Sequence, residues 1–106
     1  MTPKRIYISG QITSLLPDFA RQRFLEAAMR ITQEGHIPVN PMELPHKHDG
    51  TWESYMREDI AMLMTCQEIY MLSGWGASNG ARVELYIAEV LRMPVRYQIN
   101  ELVKKR

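Results

Sequence analysis

Glu68-Ile-Tyr-Met-Leu72-Ser-Gly-Trp-Gly-Ala-Ser78-Asn-Gly-Ala-Arg-Val-Glu84 is the stretch that decides the fold. It opens on an apolar, β-branched and aromatic run that reads as a buried strand. Ser73 to Ser78 is a glycine-rich loop. From Asn79 to Arg92 the apolar residues recur at helical spacing. Strand, glycine loop and helix in that order make half of a parallel crossover unit. The same alternation continues on both sides. Arg5-Ile-Tyr-Ile-Ser9 is a first strand that ends at Gly10, and Pro17 with Asp18 starts a helix running to Glu34. Gly35 stops that helix, and His36-Ile-Pro-Val-Asn40 is a second strand, with Pro38 suited to a sheet edge. Thr51 or Asp49 caps a second helix to about Thr65, and Met93-Pro-Val-Arg-Tyr97 is a fourth strand. The tail from Ile99 to Arg106 is short and basic at its end, a helical turn or a frayed end.

The pattern predicts an α/β fold: a three-layer, flavodoxin-like or Rossmann-like parallel sheet of four or five strands, order 2-1-3-4, within a single domain spanning 1–106. Ligands in such sheets bind beyond the carboxyl ends of the strands, where the strand order reverses. Gly10–Leu16, Asn40–Gly50 and Ser73–Gly80 should meet there.

Composition narrows the class. The chain has 106 residues, 45% hydrophobic and 24% charged, enough for a core without disulfide or metal support. Thirteen Lys and Arg against twelve Asp and Glu leave a net charge of +1, which disfavours a polynucleotide-binding surface. No apolar run approaches the ~18 residues of a membrane span, and the N-terminus has no secretory apolar region. The single Cys66 fits a reducing, cytoplasmic setting and reads as an inert buried thiol. His46-Lys-His48-Asp49 reads as exposed loop rather than metal ligands. No phosphate-loop lysine and no dinucleotide glycine fingerprint is present.

Two carboxylates interrupt the apolar faces. On the second helix Trp52, Met56, Ile60 and Leu63 form one stripe, and Asp59 lies inside it. On the third helix Gly80, Ile87, Ala88 and Leu91 form the inward stripe, and Glu84 lies inside it. Glu53, Glu58 and Glu89 take the exposed faces. A carboxylate on a buried face is costly unless paired or hydrogen-bonded. The bland reading pairs it with Arg82, Arg57 or a backbone group. Two such carboxylates aimed at one crevice also form a candidate acid–base pair of the kind that cleaves glycosidic bonds, with Tyr7 in reach to hydrogen-bond one of them.

Tyr7-Ile-Ser-Gly10, Asn40-Pro41, Asp59 ahead of Glu68-Ile-Tyr-Met-Leu72, and the block from Leu72 to Glu84 together resemble the nucleoside 2-deoxyribosyltransferase superfamily, over nearly the whole chain. That superfamily includes 2′-deoxynucleoside 5′-monophosphate N-glycosidases. The resemblance implies that Glu84 is the nucleophile, that Asp59 assists departure of the base and that Tyr7 orients Glu84. It implies substrate contacts from Gly10, Gln11, Asn40, Trp75, Ser78 and Gly80, no metal and no cofactor. Ser78 stands where the transferases carry an aspartate, and a hydroxyl there suits a 5′-phosphate. The first loop, Gln11-Ile-Thr13-Ser14, lacks the arginine of some monophosphate hydrolases, a gap that Arg82 or Arg21 could fill. The resemblance also implies a homodimer or larger homo-oligomer, with Asn100 matching an asparagine lent to a neighbour's site. Either tryptophan could wall the pocket and stack on a base: Trp52 reads more readily as core, and Trp75 equally as core or as a stacking wall.

The expected activity is that of a retaining N-glycosidase or deoxyribosyltransferase acting on a small nucleoside or nucleotide, with no polynucleotide and no membrane partner. The alternatives are a non-catalytic nucleotide sensor or sequestering module using the same crevice, and a structural domain with a vestigial site.

Overall fold

The computed structural model describes residues 2–44, 46 and 50–99. The readings for His48, Asp49, Asn100 and the rest of the tail lie outside these residues. Four parallel strands, β1 (Arg5–Ser9), β2 (Ile37–Val39), β3 (Glu68–Met71) and β4 (Val95–Tyr97), stand in the order β2-β1-β3-β4. Three helices connect them: α1 (Pro17–Gln33), α2 (Trp52–Leu63) and α3 (Asn79–Val90). The α/β architecture and strand order are those the sequence predicts. Among the described residues the sheet has four strands.

Both faces of the sheet are covered, so β1 and β3 are apolar almost throughout. Period-two alternation sorts their side chains. Ile6, Ile8, Tyr70 and Leu72 meet Phe24, Ala27, Ala28 and Ile31 of α1. Tyr7, Ile69 and Met71 point the other way, into a core with Leu63 of α2 and Ala81, Leu85 and Ala88 of α3. The inward face of α3 is therefore turned by about one residue from the predicted stripe. Ala81, Glu84, Leu85 and Ala88 are buried, whereas Leu91 is exposed because the helix ends at Val90.

Local chemistry fixes the ends that face the crevice. Pro17 occupies the first turn of α1 and Gly35 follows it at φ +87°, a left-handed conformation that glycine adopts without strain. Thr51 caps α2 by accepting from the Ser54 amide at 3.2 Å, and Ser78 caps α3 by accepting from Ala81 N at 3.1 Å. Gly10 is required for close approach: a Cβ there would stand 2.7 Å from Leu72 Cδ1. It lets the chain leave β1 tight against β3.

Candidate active site

The sheet order reverses between β1 and β3, and a cavity of about 640 Å³ opens beyond their carboxyl ends. Its walls come from the loop after β1 (Gly10, Ile12, Thr13, Ser14), the short 3₁₀ turn after β2 (Pro41, Met42) and the start of α3 (Ser78, Asn79, Gly80). A further wall is one face of α2: Trp52, Tyr55, Met56 and Asp59, at i, i+3, i+4 and i+7.

Glu84 is the centre of this arrangement. It is 5% exposed, and both carboxylate oxygens accept from hydroxyls of β1. Tyr7 Oη donates to Oε2 at 2.8 Å, and Ser9 Oγ donates to Oε1 at 2.6 Å. Tyr7 and Ser9 are two residues apart, so the pleat places them on one side of the sheet. Neither Arg82 nor Arg57 is the partner; Arg82 turns away to the Gly76 carbonyl and Asn79. Burial pushes the Glu84 carboxyl up to about 7, against the two hydroxyl donors that favour the anion; the nearby Asp59 charge adds to the rise. Burial, followed by the Glu84 and Asp59 charges, pushes the Tyr7 phenol well above its ordinary value, so Tyr7 remains a donor. Asp59 is 8% exposed and lines the same cavity. A perturbed carboxylic acid beside a second carboxylate in a cleft makes this a candidate functional site.

The structure brings Tyr7, Gly10, Asp59, Ser78, Gly80 and Glu84 to the cavity. It does not bring Gln11, Asn40 or Trp75 to its wall. Gln11 donates to the Thr13 carbonyl at 3.3 Å. Asn40 is buried and caps the Pro41–Glu43 turn through the Met42 amide. Trp75 follows the left-handed Gly74 and leans on Tyr97 of β4, ring centres 6.1 Å apart.

Residues 4–97 match the family described as a domain of unknown function, DUF4406. The chain belongs to this family. No curated protein matches the sequence. Among solved structures, this DUF4406 domain is similar to a 2-deoxyribosyltransferase from the psychrotolerant bacterium Bacillus psychrosaccharolyticus. The TM-score is 0.69 at 19% identity, over 93% of this chain and 79% of that one. The likeness shows that the two share a fold.

The DUF4406 domain also brings Trp52, Arg21 and His46 to the cavity. Trp52, read as core, is half-exposed on the cavity wall with Tyr55. Arg21 reaches the wall from the second turn of α1, held by Asp18 at 2.8 Å. His46 lines the wall with its ring edge against Tyr55 and its nitrogens on the Glu58 carboxylate and the Pro41 carbonyl. Glu58, assigned to the exposed face, is thus turned to the loop. Burial opposes the His46 cation, but the bonds to Pro41 and Glu58 outweigh it and raise the imidazole pKa. Among the described residues no three His, Cys, Asp or Glu gather to hold a metal ion, and no helix is long and apolar enough to cross a membrane.

Proposed function

We propose that this DUF4406 domain cleaves the N-glycosidic bond of a 2′-deoxynucleoside or its 5′-monophosphate with retention, as a hydrolase or a deoxyribosyltransferase. The observation that carries the reading is Glu84, buried on the cavity and held by two hydroxyls, with Asp59 beside it. The shared fold with a 2-deoxyribosyltransferase supports it.

In this reading the ionised Glu84 attacks C1′. The bond to the base nitrogen breaks with its electron pair on the base, and Asp59 supplies or positions the proton that the leaving base takes up. Water or a second base then displaces Glu84 from C1′. The aromatic face of Trp52 and Tyr55 gives a flat heterocycle an apolar surface. The first turn of α3, with Ser78 and the Gly80 amide, faces the opposite end of the sugar. Ile12, Leu16 and Phe19, exposed apolar side chains at the loop that lines the cavity and the helix after it, offer a second copy of the chain a place to close the site.

The test is incubation with the four deoxynucleosides and their 5′-monophosphates, with chromatography for free base. Base release that depends on Glu84 supports the reading. Binding without release favours a nucleotide sensor and overturns it. Arg21 separates the two substrate classes. Arg21→Ala should raise KM for the monophosphate by about tenfold and leave KM for the nucleoside within about twofold, because only the phosphate offers an anion to the guanidinium. Equal changes for both substrates remove Arg21 from phosphate recognition.

A further inference from the structure

The hydroxyl behind Glu84 has no part in the reaction as written above. Ser9 is 1% exposed, at the last position of β1, and its Oγ lies 2.6 Å from Glu84 Oε1. Tyr7 and Glu84 line the cavity; Ser9 does not. Both donors reach the carboxylate from β1, Tyr7 on one oxygen and the fully buried Ser9 on the other. A carboxylate on a helix can rotate about its terminal side-chain bonds. One donor fixes one oxygen, and two donors from a single strand fix the plane of the group. A shift of about 1 Å in a nucleophile costs on the order of a hundredfold in rate.

From this geometry we propose that Ser9 is a positioning residue for the nucleophile. Its hydroxyl donates to Oε1 and, with Tyr7 on Oε2, sets the plane in which Glu84 faces C1′. The inference rests on the glycosidic reading, and it makes a claim that the reading does not need. Ser9 acts in both halves of the reaction. It holds the carboxylate for attack. When the ester from C1′ to Glu84 breaks, the same donor receives the returning negative charge, with no proton transferred and no bond made to Ser9 itself.

The experiment compares wild type, Ser9→Ala and Ser9→Cys, each confirmed folded by thermal unfolding. Ser9→Ala should lower kcat by about tenfold with KM within about twofold, since Ser9 does not touch the substrate. It should also move the acid limb of kcat/KM upward by about one pH unit, because a donor to the anion is lost. Ser9→Cys, a weaker donor of similar size, should fall between the two. Titration of the Glu84 carboxyl by carbon-13 NMR should show the same upward move without any substrate. A loss of kcat with an unmoved acid limb and an unmoved Glu84 titration overturns the proposal and leaves Ser9 a packing residue. An upward Glu84 titration in Ser9→Ala, in a protein whose wild type releases no base, upholds the Ser9–Glu84 coupling and overturns the glycosidic reading instead.

Discussion

Glu84→Ala and Glu84→Gln should each lower base release by about four orders of magnitude while the domain stays folded. The size of the expected loss follows from the role. In the proposed role Glu84 has no substitute in the cavity: Asp59 sits on α2 and lacks the Tyr7 and Ser9 donors that hold Glu84. Glutamine keeps the shape and can still take part in both hydroxyl contacts, but it cannot give up a lone pair to C1′ as an anion. The alanine variant removes the group altogether. Free base measured by chromatography, with circular dichroism to confirm folding, reads the result. Retention of even a tenth of wild-type turnover in the glutamine variant would be incompatible with Glu84 as nucleophile.

The second large effect is on stability, and its sign is opposite. The folded Glu84 carboxyl titrates at about 7, whereas an unperturbed glutamate titrates at 4.5. Between those values the native chain binds the proton more tightly than the unfolded one. The stability that this preference contributes is fully present below the lower value and is lost as pH rises through the higher one. Above pH ~7 the buried anion costs the fold on the order of 3 kcal/mol relative to a carboxyl whose pKa did not move. Glu84→Gln carries no charge to bury. It should therefore unfold at a temperature about 10 °C above wild type near pH 8, with the difference shrinking towards pH 5. Thermal unfolding of both proteins across that range decides the point. A glutamine variant less stable than wild type near pH 8 would mean that the two hydroxyl bonds outweigh the burial of charge. The same titration predicts that kcat/KM rises through about pH 7, as Glu84 ionises.

Much of this site is visible in the sequence, and the reason is that it breaks a rule. Asp59 and Glu84 stand out because they occupy apolar positions of helices whose other faces already hold acids. Parallel strands buried on both sides give continuous apolar runs, so the sheet and its order are legible too. What the sequence hides is set by helix placement and turns. The first turn of α2 lines the cavity instead of the core, a placement that helical spacing alone does not record. Trp52 shares the helical stripe of Met56 and Leu63 but is half-exposed and lines the cavity. Trp75 is carried to Tyr97 by the left-handed Gly74, a turn whose direction no periodicity records. Asn40 is drawn to the nearest free amide, that of Met42. Ser9 reads as the polar end of a strand. Only its spacing from Tyr7 places both hydroxyls on one side.

Strand β1 has a mechanical consequence. Ile6 and Ile8 anchor it in one core, while Tyr7 and Ser9 reach the carboxylate from its reverse side. A slip of one residue would exchange the two sets, presenting isoleucine to Glu84 and hydroxyls to α1. The two hydroxyls that hold Glu84 are therefore set by one and the same pairing register of β1. Both donors share one strand register, so a change in that register removes them together.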